Sequence, residues 1–174
     1  MQSRNSFSAK KIAFIGLFIA LASVMAYIEA IIPMPIPIPG VKLGLCNIVI
    51  VFVLYFADAN TAFIVSIARA LVIFIIFGNA AALFYSVLGA SFSILFMALL
   101  KKTKLFSVIG VSAGGGFAHI TGQMIAAITL AGKAVLRYYP VLALSGVITG
   151  IIIGALSLQI LKLLHGKFEL EQIK

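Results

Sequence analysis

The run IAFIGLFIALASVMAYIEAII, residues 12–32, decides the fold, because it is apolar for its whole length apart from Glu29 near its end. About 20 such residues in a helix cross the hydrocarbon core of a bilayer. Arg4, Lys10 and Lys11 precede the run, as in a secretory signal. It is longer than a signal's apolar region of about 7–15 residues, however, and lacks a persuasive A-x-A cleavage site. The run is therefore expected to remain as the first membrane helix. The stretch that follows, PMPIPIPG at 33–40, alternates proline with apolar residues. A helix does not continue through it, since each proline lacks a backbone donor and pushes its predecessor toward extended geometry.

Five further spans are predicted at 44–56, 61–77, 80–100, 107–131 and 139–164. The result is an all-α membrane protein with six transmembrane helices in a single domain, 1–174. The second span is short for a crossing. Composition agrees: 63% of the 174 residues are hydrophobic and 10% charged, against about 45–50% and 25% in soluble domains. Six spans of about 20 residues leave no room for a separate soluble domain. The single cysteine, Cys46, allows neither an internal disulfide nor a cysteine-based zinc site.

The net charge of +9 is a topology signal rather than a nucleic-acid one. Lysines and arginines fall in threes in the N-terminal tail, around Lys101, Lys102 and Lys104, and in the C-terminal tail (Lys162, Lys167, Lys174). Only Lys42, Lys133 and Arg137 lie on the opposite side. Nine against three predicts that both termini are cytoplasmic, with the proline segment, Asn79 and the 132–138 loop outside.

Small residues at four-residue spacing let membrane helices approach closely. The fifth span carries Gly110, Gly114, Ala118, Gly122 and Ala126, and the sixth carries Gly146, Gly150 and Gly154, so these two are expected to pack together. The first helix carries Gly16, Ala20, Ala22 and Ala26, which suit either a seam within the chain or a docking face for another membrane protein.

Polar groups inside a bilayer are costly and mark function by default. Arg69 lies about 12 Å from the outer end of the third span. Gln123 lies at a similar depth, Asn47 near the outer start of the second span and Glu29 near the outer end of the first. Ser112, Gly116, His119 and Gln123 share one face of the fifth helix and could line a cavity. Two roles are open for Arg69, a structural partner of Glu29 or an anion site. Tyr85, Tyr138 and Tyr139 near the outer boundary fit an aromatic belt or a cover for apolar parts of a ligand. Asp58 is expected to cap the third helix. No Asp-rich cluster, paired carboxylates, P-loop or GxSxG is present, so this chain is not expected to be an enzyme by itself, nor to hold a metal or cofactor.

The elements P-G-V-K-L-G-L-C-N at 39–47, Arg69, and G-V-S at 110–112 with Gly116, His119, Gly122 and Gln123 resemble the bacterial membrane proteins called heptaprenyl diphosphate synthase component I, or the Gx transporter family. Ile120 and Cys46 depart from that family's usual asparagine and alanine. The family is similar to the substrate-binding S components of energy-coupling factor (ECF) transporters. That resemblance implies six helices with cytoplasmic termini, an outer substrate cavity under the first outer loop, and a first-helix face, through Ala22 and Ala26, that docks a T subunit driven by paired ATPases. The expected function is capture of a small, anionic, partly apolar vitamin- or precursor-like compound. Glu29, Lys42, Asn47, Arg69, Asn79, Tyr85, His119, Gln123 and Tyr139 form its expected site, with lipid as the surroundings. The alternatives are a non-catalytic membrane subunit of a polyprenyl diphosphate synthase and a quinone-related or electron-transfer scaffold.

Overall fold

The computed structural model describes residues 9–31 and 44–165. Among them are six α-helices and no strand: α1 (Ala9–Ile31), α2 (Leu45–Phe56), α3 (Ala59–Phe77), α4 (Ala80–Thr103), α5 (Val108–Ala131) and α6 (Tyr139–His165), with a short 3-10 turn at Lys133–Tyr138 before α6. The helix limits fall within a few residues of those read from the apolar runs. α1, α3, α4 and α6 are long and apolar enough to cross a membrane. α5 is as long as α4, but five glycines, Ser112, His119 and Gln123 replace apolar side chains along it.

Short turns fix the up-and-down order. Asp58 starts α3, its carboxylate accepting the Thr61 N–H at 2.8 Å and the Thr61 hydroxyl at 2.9 Å. Asn79 caps α4 by accepting the Ala82 N–H at 2.9 Å. Gly78, at φ 66, ends α3 in the left-handed conformation that glycine adopts without steric cost.

In contact the helices close a ring in the order α1, α3, α4, α5, α6, α2. α2 has only 12 residues, about 18 Å. Beyond Asn47 it is almost wholly apolar, with the run Val49 to Leu54 buried throughout, as expected of a helix sheathed by protein. Four stacked rings join it to α1: Phe14 lies 5.4 Å from Phe56, and Phe18 lies 5.4 Å from Phe52. Lys101 of α4 donates to the Leu54 carbonyl at 2.7 Å and lies 4.8 Å from the Tyr55 ring centre. It thereby satisfies a carbonyl in the last turn of α2 that has no partner within its own helix.

The α5–α6 pairing anticipated from the glycines is present, but its α5 half differs from the expected stripe. A β-carbon on Gly116 would collide with the Gly146 carbonyl, and one on Gly150 would lie 2.6 Å from the Ser112 carbonyl. Gly114 and Gly122 face α4 instead, where added β-carbons would lie 2.5 Å from Leu100 Cδ1 and 2.5 Å from the Leu88 carbonyl. α5 thus presents two small-residue faces, one to each neighbour. The first helix divides its small residues as well. Ala22 is fully buried and Ala26 nearly so, packed within the chain, whereas Gly16 and Ala20 are exposed. Of these four small residues, Gly16 and Ala20 are on the open side of α1, because Ala22 and Ala26 are turned inward.

Gly116→Val is expected to destabilise the detergent-solubilised protein by more than the 1–3 kcal/mol typical of overpacking, since backbone rather than a flexible side chain must move. Gly110→Ala, whose new methyl meets only ordinary contact with Phe106 at 3.5 Å, should leave the thermal midpoint nearly unchanged. Asp58→Ala should cost about 1 kcal/mol through loss of the cap. Burial raises the Asp58 carboxyl's pKa, but the Thr61 hydrogen bonds and the Lys11 charge outweigh it and hold the group below its usual 3.8. The contribution of the cap is thus full above that pH and fades as pH falls below it, which thermal melts of the two proteins between pH 3 and 6 will resolve.

Candidate functional site

All six helices contribute to the wall of one cavity of about 150 Å³. The ring arrangement is the reason, since each helix turns one face to the common centre. Wall residues on α4 run from Asn79 to Met97, about 27 Å of helix, so the cavity is long and narrow. It is smaller than the roughly 300–1,000 Å³ of ordinary small-molecule pockets, which suits a compact ligand.

Glu29, Asn47, Arg69, Asn79, His119 and Gln123, drawn from five helices, meet in this wall, together with Ser112 and Gly116. Glu29 is 8% exposed, and its Oε1 accepts the Gly44 N–H, which ties the end of α1 to the start of α2. The Asn47 side-chain oxygen accepts from the Cys46 thiol at 3.7 Å. Arg69 is 7% exposed, and its Nε has no hydrogen-bond partner. No ion pair joins it to Glu29, so of the two roles open for Arg69, structural pairing with Glu29 is not the one observed. A buried cation without a partner is unfavourable, so the cavity offers Arg69 as a group still to be satisfied.

Gly89 explains how two of these side chains reach the wall. It does not itself line the cavity, but a β-carbon there would stand 2.9 Å from His119 Cε1 and Nε2 and 3.0 Å from Gln123 Cγ. The bare backbone of α4 at this point is the seat on which both side chains rest.

Two expected site residues, Tyr85 and Tyr139, are not part of this grouping. Lys42 lies outside the described residues. Tyr85 is half-buried yet absent from the wall, because the cavity side of α4 is the face of Asn79, Ser86 and Ser93. Tyr139 is also absent from the wall, and its hydroxyl pairs with Thr121 Oγ1 of α5 at 2.9 Å. Conversely, Ser86, Ser93, Thr149, Phe74 and Phe77 line the cavity without having been anticipated. For the first two a signal existed, since Asn79, Ser86 and Ser93 recur every seven residues and so share one helix face.

Of the four acidic residues, Glu29 and Asp58 lie at opposite ends of the bundle, and Glu169 and Glu171 lie outside the described residues. Among the described residues no group of three or more histidine, cysteine or acidic side chains is placed to hold a metal ion.

Gly89→Ala should press on the His119 ring and on the Gln123 side chain, both of which rest on that backbone. In the histidine-labelled protein, NMR should show the His119 signals displaced, with a loss of stability of at most about 1–3 kcal/mol.

The family model described as heptaprenyl diphosphate synthase component I matches residues 18–160, from within α1 to within α6. No match was found among the curated proteins or among the solved structures.

Proposed function

The chain belongs to the heptaprenyl diphosphate synthase component I family, and from that premise we propose that it is a substrate-binding membrane subunit. It takes a small, partly apolar compound bearing an anionic group into the cavity between its helices. The observation that carries this is Arg69, a guanidinium more than nine-tenths buried in the cavity wall with its Nε unsatisfied. A bound carboxylate or phosphate would supply the missing acceptor with the strength of a charge-assisted hydrogen bond. The amides of Asn47, Asn79 and Gln123 would orient the rest, and Phe74 and Phe77 would cover apolar parts.

In this proposal all six helices cross a bacterial inner membrane. The buried α2, too short alone, is sheathed by its neighbours, and the lysine balance puts both termini in the cytoplasm with the Asn79 end of the cavity outside. The chain is not itself an enzyme. Energy for uptake would come from the T subunit and paired ATPases of an ECF module, with Gly16 and Ala20 of α1 as the exposed docking residues. The family's own description favours a second reading, a non-catalytic membrane subunit of a polyprenyl diphosphate synthase. Co-purification distinguishes the two: a stable complex with T subunit and ATPases supports the first, and one with a soluble prenyl diphosphate synthase replaces it by the second.

Native mass spectrometry of the purified protein should show a small co-purifying compound that Arg69→Met loses. The substitution removes an unpaired buried charge, so the ligand-free variant should melt no lower than the ligand-free parent. Retention of the compound by Arg69→Met would rule out the anion-site role.

A further inference from the structure

If the cavity is the ligand site proposed above, its charges narrow the ligand further. Arg69 is not the only ionisable side chain at the wall; Glu29 enters it from α1, equally buried and not paired with Arg69. Glu29 Oε1 is committed to the Gly44 N–H, and Oε2 takes no hydrogen bond among the described residues. Glu29 lies on α1 and Arg69 on α3, so the two charges enter the same cavity from different helices.

A purely anionic ligand would satisfy Arg69 but bring a second negative charge into a low-dielectric cavity that already holds a carboxylate, where like charges repel strongly. A purely cationic ligand would meet the converse penalty at Arg69. Glu29 and Arg69 bring opposite charges into the described wall, and a ligand with one charge of each sign satisfies both. We propose that the ligand is a small zwitterion, whose anionic group is held by Arg69 and whose ammonium is held by the Glu29 carboxylate. The uncharged amides of Asn47, Asn79 and Gln123 then lie along the ligand without upsetting this balance.

The test uses matched probes on the purified, ligand-stripped full-length protein: the common amino acids as zwitterions, their N-acetyl derivatives as anions, and the corresponding decarboxylated amines as cations. Thermal shift and native mass spectrometry should show at least one amino acid binding, and its N-acetyl and amine relatives binding about 10- to 100-fold more weakly, as loss of a charge-assisted contact implies. Glu29→Gln keeps an acceptor for the Gly44 N–H and so preserves the helix junction. It should weaken the zwitterion about tenfold or more while binding the N-acetyl anion at least as well as the parent does. A purely structural role for Glu29 would weaken both alike, and that result overturns the proposal. An N-acetyl anion binding the parent as tightly as its amino acid, with Arg69→Met abolishing both, overturns the zwitterion and leaves the anion site standing. Absence of binding by all three classes overturns both.

Discussion

Backbone against backbone at α5 is the contact on which the rest of the bundle depends. Gly116 meets the Gly146 carbonyl on one side and Gly122 meets Leu88 on the other, with no side chain between. Lipid tails are as apolar as leucine, so there is no hydrophobic gain in burying one apolar helix against another inside a bilayer, and such close approach must supply the association. α5 is clasped on two faces by α4 and α6, it turns Phe117 and Ile125 outward, and its inward face carries polar groups. Ser112, His119 and Gln123 occupy that face, and the cavity exists where they converge with α1, α2 and α3.

The short α2 follows from the same economy. A lipid-exposed 12-residue helix would leave its ends, with their unpaired backbone groups, inside hydrocarbon. Here neighbours surround it instead, with Lys101 taking up the Leu54 carbonyl and Ser157 donating to the Ile48 carbonyl at 3.3 Å. A helix protected in this way needs no polar face, which is why Val49 to Leu54 reads as unbroken apolar sequence.

Much of this was legible in the residues alone. Helix limits followed from run lengths, and the cap of α3 from Asp58, because capping is local chemistry. The stripe of Ser112, Gly116, His119 and Gln123 pointed to a cavity face, because periodicity shows which residues share a side of a helix. Periodicity does not show which neighbour that side meets, so Gly114 and Gly122 were assigned to α6 although they pack on α4. The same limit applies to Ala22 and Ala26, whose spacing suits an outward seam as well as the inward one they occupy. Tyr85 and Tyr139 were drawn to the site by their level in the bundle alone, and level says nothing of angle around the helix. Whether Glu29 would reach Arg69 or the Gly44 amide depended on rotamers and helix offsets that no linear pattern records.

Restraints are distributed unevenly along the bundle axis. The end formed by Phe14, Phe56, Tyr55 and Lys101 is held by stacked rings and a lysine bridging two helices, whereas at the opposite end, among the described residues, α1 is tied to α2 by the hydrogen bond between Glu29 and Gly44 and to α3 by the stacked rings of Tyr27 and Phe77, 5.9 Å apart. Helix α1 is therefore fastened to a different neighbour at each level, by rings to α2 where Phe14 and Phe18 lie and by a ring to α3 where Tyr27 lies.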